Sequence, residues 1–143
     1  MPKKINFQFL ISYLGLIPYV LTFLDKYYFL IVEEEVLLNF VIYYSLIIIV
    51  FIGSINWNLK NNPPTYIVIY GFLPSLFSVI IIILSLLNIN ILIIFILIIL
   101  LLLTQLFFDY IILFANETNK QAFYYLRLPL TILIILFLFL ISL

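Results

Sequence analysis

The sequence predicts an all-α fold: a polytopic membrane bundle of five transmembrane helices, N-terminus inside and C-terminus outside. Three observations carry that reading. Hydrophobic residues make up 68% of 143 residues and charged residues only 8%, against about 25% charged in a soluble domain. The apolar residues fall into stretches of about 20, the length that crosses a hydrocarbon core. Lys and Arg then lie almost wholly on one side of the alternating loops.

Residues 1–143 are read as one transmembrane helical domain with spans at about 6–24, 37–56, 66–87, 91–114 and 123–143. The first span follows Lys3 and Lys4, is too long for a signal h-region and lacks a small-residue cleavage site, so a retained signal-anchor helix is expected. Gln8, Ser12, Gly15, Tyr19 and Thr22 recur at helical spacing and define a packing face. Pro18 is expected to bend this helix. Asp25 to Glu35 then form an outer loop whose Tyr27 and Tyr28 suit the headgroup level. In the second span Ser45, Ile49, Gly53 and Asn56 share a face, and Trp57 closes it at the interface.

The loop Lys60-Asn61-Asn62-Pro63-Pro64 cannot be helical throughout, because a residue before Pro is pushed out of the helical region. Residues 66–114 follow with one break, Asn88-Ile89-Asn90. As a single helix they would reach roughly 74 Å, more than twice a hydrocarbon core, so two spans are required. Gly71, Ser75, Ser78 and Ser85 mark the packing face of the third span around Pro74. In the fifth, Tyr124, Arg127, Thr131 and Ser142 line one stripe. With the N-terminus inside, Lys3, Lys4, Lys60, Lys120 and Arg127 lie on the inner side and Lys26 alone on the outer. The positive-inside rule fixes the orientation from that asymmetry.

Composition excludes several function classes. Six basic and six acidic side chains give zero formal net charge, which argues against a polyanion partner; no nucleic acid is expected. The chain has no Cys and no His, so disulfides, thiol redox chemistry, zinc sites and His-ligated haem fall away, and no cofactor or metal is expected. Ala occurs only at 115 and 122 while Ile, Leu, Phe, Asn and Tyr abound. That pattern is one of A/T-rich coding drift, so an isolated Asn is not by itself a functional mark.

The candidate polar cluster is Asp109, Arg127, Gln105, Asn56 and Trp57. Asp109 and Arg127 are the only charges set inside otherwise apolar spans, where charge is costly and normally finds a partner. They sit at similar depth across a hairpin, and Gln105, one turn from Asp109, is placed to donate to it. The pair reads either as a proton-relay or ligand site or as an ion pair that fixes two helices. Neither group is at mid-membrane and no further titratable group continues a path, which favours the ion pair. Glu33-Glu34-Glu35 reads as a solvated acidic run rather than a cation site, since consecutive helical residues fan about 100° apart. Gly15, Pro18, Gly53, Gly71, Pro74 and Pro129 are the kink and packing positions. The repeated Gly-x-x-Pro of Gly15–Pro18 and Gly71–Pro74 raises an internal repeat of the transporter kind as a further possibility.

The order Leu14-Gly15-Leu16-Ile17-Pro18-Tyr19, Phe51-Ile52-Gly53-Ser54-Ile55-Asn56-Trp57, Leu73-Pro74-Ser75-Leu76, Asp109 and Leu126-Arg127-Leu128-Pro129-Leu130-Thr131 resembles the transmembrane protein 69-like family. Those are small bacterial and mitochondrial inner-membrane proteins without an assigned function. Gly53-Ser54 stands where that family has Gly-Gly. The resemblance implies the bacterial cytoplasmic membrane or the mitochondrial inner membrane, and no activity or cofactor.

Two functions are therefore expected to compete. One is a non-catalytic accessory or assembly component of a membrane complex, whose partners are the lipid bilayer and other membrane-protein subunits. The other is a small transporter or lipid-handling protein with an inner-side polar cavity. A catalytic role ranks behind both, since a lone Asp and Arg without nucleophile or metal supply little chemistry.

Overall fold

The computed structural model describes residues 3–54, 64–112, 120 and 123–143, with the side chains of 3–6, 8, 9 and 112 outside that description. The described residues are helical, with short turns between. The order is α1 (Lys3–Leu14), α2 (Ile17–Leu24), a π-helical turn (Asp25–Phe29), α3 (Glu34–Ser54), α4 (Thr65–Leu86), α5 (Ile91–Ile112), a second π-helical turn (Phe123–Arg127) and α6 (Leu128–Ser142). Four of these segments are long and apolar enough to cross a membrane: α3, α4, α5 and the run from Phe123 to Ser142. The side chains turned away from the core match that setting. Leu21, Ile47, Phe51, Leu136 and Phe139 are all exposed, and only hydrocarbon would solvate them at no cost.

The first expected span is not one bent helix. α1 stops at Leu14, Gly15 and Leu16 form a turn, and α2 begins at Ile17 with Pro18 in its first turn. The reason lies in the Pro18 ring. It would meet the carbonyl of the residue four back, Leu14, which is where α1 ends, whereas in a first turn a missing N–H costs nothing. The predicted face survives in part: Tyr19 and Thr22 are buried, Ser12 and Gly15 half-buried, and the Gln8 side chain lies outside the described residues. Pro74 behaves differently and stays inside α4. The two Gly-x-x-Pro stretches therefore build unlike structures, which removes the local basis for an internal repeat.

α3 starts earlier than expected, at Glu34, so two of the three acidic residues lie in its first turn. Their charge complements the positive end of the helix dipole there. The Asn88–Asn90 break divides α4 from α5 as expected, and each Asn has its own task. Asn88 takes a left-handed conformation (φ 55°) just past α4. The amides of Asn88 and Ile89 then bond to the carbonyls of Ser85 and Leu84, closing a Schellman cap. Asn90 caps the next helix, its Oδ1 accepting from the Leu92 amide at 3.0 Å.

The backbone groups into two compact units, residues 1–41 with 108–143 and residues 42–107. In the first, Tyr13 Oη donates to Tyr125 O and Tyr27 Oη to Leu140 O, early residue with early and late with late, so α1–α2 and α6 run parallel. The buried seam of α6 is Thr131, Ile134, Leu138 and Ile141, spaced three, four and three apart as in coiled-coil packing. Phe137 beside it meets Tyr19 and Phe23 of α2 with ring centroids 6.4 and 6.2 Å apart.

In the second unit α3 and α4 are antiparallel and meet at Gly53. A Cβ there would lie 2.9 Å from the Gly71 carbonyl oxygen and 2.9 Å from Pro74 Cγ. Neither a backbone oxygen nor a proline ring can step aside, so close approach of these helices depends on glycine. Gly53→Ala is expected to destabilise the protein by about 1–3 kcal/mol through overpacking. Thermal unfolding in mild detergent should show the loss, while Ser54→Ala, at an exposed neighbour, should leave the midpoint within a degree or two. Equal midpoints for the two variants would mean the helices do not cross at Gly53.

Candidate functional site

Three groupings of polar side chains stand out among the described residues. In the unit of residues 1–41 and 108–143, Asp109 near the end of α5 is fully buried, and Arg127 Nη2 donates to its Oδ2. The predicted ion pair is therefore present. Arg127 reaches Asp109 from the last residue of the second π-helical turn, just ahead of Pro129 in the first turn of α6. That turn also corrects the predicted stripe. A π turn holds more residues than an α turn, so the face shifts: Phe123 is buried at 4% exposure while Tyr124 is 52% exposed. Phe123 packs on Tyr110 at 5.3 Å between centroids, which places an apolar ring beside the α5 end that carries Asp109.

Pro129 is not a mid-helix kink. It has no N–H to offer the carbonyl four residues back, Tyr125, and that oxygen accepts from Tyr13 Oη at 3.0 Å. A hydroxyl from α1 thus satisfies a backbone oxygen beside the π turn. Thr22 does similar work within α2, donating at 2.8 Å to Pro18 O.

The second place lies in the unit of residues 42–107 and corrects the expectation for Gln105. Its Nε2 donates to Ile49 O on α3 at 2.9 Å, not along its own helix to Asp109. Its main-chain carbonyl accepts from Tyr70 Oη on α4, also at 2.9 Å, while its side-chain Oε1 has no partner among the described residues. Three helices are tied in a ring: α5 to α3 through the Gln105 amide, α4 to α5 through Tyr70, and α3 to α4 through Gly53. Asn56 and Trp57, the remaining members of the predicted cluster, lie outside the described residues.

The third place was not predicted. Lys26 Nζ donates to Ile141 O at 2.7 Å and lies 2.9 Å from Glu34 Oε1, while Tyr27 Oη donates to Leu140 O at 2.6 Å. These carbonyls are the orphan acceptors of the α6 C-terminus, where a cation is favourable. Asp25 closes the turn that presents Lys26: its O accepts from Leu30 N, and its carboxylate from the amides of Ile31 and Val32. The one sequence signal for this cluster was Lys26 itself, the single outer cation. Glu33, Glu34 and Glu35 do not converge; among the described residues no group of three acidic or other ligating side chains is placed to hold a metal.

Chemically, these arrangements hold helices together. The Asp109 carboxylate faces a guanidinium, and Gln105, Tyr13, Tyr27 and Lys26 each reach a backbone oxygen of a neighbouring helix. No protein-family model, curated protein or solved structure matches the chain.

A charge deep in a membrane helix costs roughly 2.5–3.5 kcal/mol by insertion scales and less near the ends. Stranding one member of the pair should therefore cost about 1–3 kcal/mol. Asp109→Asn and Arg127→Gln are each expected to lower accumulation in membranes, and the double variant to recover part of the loss. Simple addition of the two losses, read by quantitative immunoblot, would show that the pair contributes no coupling.

Proposed function

We propose that this chain is a five-span integral protein of a bacterial cytoplasmic or mitochondrial inner membrane, with its N-terminus inside and C-terminus outside. In this reading it is a non-catalytic accessory or assembly component of a membrane complex. The observation that carries it is the use of the polar side chains: Arg127 binds Asp109, and Gln105 and Lys26 each bind a backbone oxygen of a neighbouring helix. Such groups fix helices, and a protein whose polar groups do only that offers its lipid-facing surface as its working part.

Four segments already have spanning length, and α1 with α2 supplies the fifth crossing. The helix directions within each unit are those an up-down bundle requires. Five of the six Lys and Arg then fall inside. The motif order resembles that of the transmembrane protein 69-like family, a likeness that would imply an inner-membrane location. A small transporter or lipid-handling role has less support, because alternating access needs an opening to both sides. The outer portions of α4, α5 and α6 are nearly all apolar, as in the stretches Val79–Leu84, Ile91–Leu103 and Leu133–Ile141.

Alkaline phosphatase fused after Leu143 is expected to be active, and fused in the 60–63 loop inactive. A stable but inactive C-terminal fusion would overturn the topology. Purified in mild detergent at native expression level, the chain is expected to carry other membrane polypeptides with it. A species built of this chain alone would overturn the accessory role.

A further inference from the structure

The connection between α2 and α3 carries five large apolar side chains in a row. Tyr28, Phe29, Leu30, Ile31 and Val32 are all exposed, Ile31 at 80%. Charged residues flank the run, Asp25 and Lys26 before it and Glu33 to Glu35 after it. A contiguous apolar patch of this kind is unfavourable in water and marks a surface that something else covers. The backbone is folded to present it. Leu30 takes a left-handed conformation (φ 53°), which glycine or asparagine adopts at less cost; leucine accepts that strain and adds apolar surface. The amides of the tip are taken internally. Leu30 N donates to Asp25 O at 2.7 Å, and Ile31 N and Val32 N to the Asp25 carboxylate at 3.4 and 3.0 Å. A backbone whose donors are already satisfied can leave water without stranding them.

We propose that Tyr28–Val32 is a monolayer anchor, lying in the headgroup–acyl boundary of the bilayer on the side where α6 ends. The proposal rests on the membrane-spanning reading above. Two observations name lipid as the occupant. The first is the level of the run. Lys26 Nζ and Tyr27 Oη, at its base, donate to Ile141 O and Leu140 O. The segment Phe123–Ser142 has 20 residues, roughly 30 Å at 1.5 Å per residue, the thickness of a hydrocarbon core. The end of α6 therefore stands at a membrane boundary, and the base of the run stands with it. The second is continuity. Exposed Leu21 on α2 and exposed Val36 and Phe40 on α3 extend the apolar surface on either side of the run. Phe29, Leu30 and Ile31 meet the upper acyl chains, and the Tyr28 hydroxyl stays among the headgroups. Glu33 to Glu35 return the chain to water. The anchor also holds Lys26 against the α6 carbonyls.

The chain has no cysteine, so one substitution places a fluorophore. The purified full chain is reconstituted at high dilution in phosphatidylcholine vesicles, labelled at Ile31→Cys or, as the control, at Glu35→Cys. Nitroxides carried high on the acyl chain are expected to quench the label at 31 several-fold more than the label at 35. Iodide present on both sides of the membrane should quench it several-fold less. Asp25→Ala strips the acceptor from the Ile31 and Val32 amides and should shift the label at 31 toward iodide. Equal iodide quenching at 31 and 35 would put the run in water and overturn the proposal. A label at 31 that neither quencher reaches would put it against protein, a second copy included, and overturn it too. An unchanged profile in Asp25→Ala would overturn the part given to Asp25. Carbonate extraction of native membranes tests the membrane reading separately: a chain released by carbonate defeats that reading and the anchor with it. One that is retained while its label meets iodide defeats the anchor alone.

Discussion

Hydrocarbon does not solvate a hydrogen-bonding atom, and most of the internal contacts of this chain answer to that fact. Pro18, Pro74 and Pro129, the three prolines inside described helices, each remove an N–H and leave a carbonyl to be dealt with. At Pro18 the chain ends one helix and begins another. At Pro129 the freed Tyr125 oxygen takes the Tyr13 hydroxyl. At Pro74 the helix continues, and the disturbed stretch is pressed against a glycine. Asp109 and the α6 C-terminus obey the same requirement with side-chain partners. The hydrogen bonds that join neighbouring helices are thus largely the bonds that the membrane cannot make.

This division of labour fits the near-uniform greasiness of the segments. Lipid tails are as apolar as leucine, so burying Leu or Ile between helices gains little over leaving it in lipid. Specific association then depends on close approach and on a few polar ties. Gly53 against Gly71 and Pro74 supplies the first; Tyr70, Gln105 and the Asp109–Arg127 pair supply the second.

Much of this was legible in the sequence. Two charges in apolar spans at matching depth had few other fates than each other, and Asn88-Ile89-Asn90 was the sole place where a run of that length could break. Gln105 was misread because an amide has many acceptable partners, and sequence spacing reveals those on its own helix but not a carbonyl that packing brings from another. Lys26 reads in the sequence only as a loop charge; its role depends on where α6 happens to end. The stripe through Tyr124 failed because a period of 3.6 was assumed across a stretch that winds more loosely. Pro18 reads as a bend within one long apolar run, although a proline is most at ease in a first turn.

The second π-helical turn bears on how such a chain can change over time. A π turn is an α-helix that has taken in one extra residue without disturbing the helix on either side. The seam of Thr131, Ile134, Leu138 and Ile141 below it is indifferent to that residue; the side chains above it are not. Loss of a single codon between Phe123 and Arg127 would tighten the turn to α and swing its first side chains, Phe123 and Tyr124, by about 100° around the axis. The lower packing would be inherited intact. The segment thus separates a part of the helix whose register is fixed by its neighbours from a part whose direction one insertion or deletion can reset.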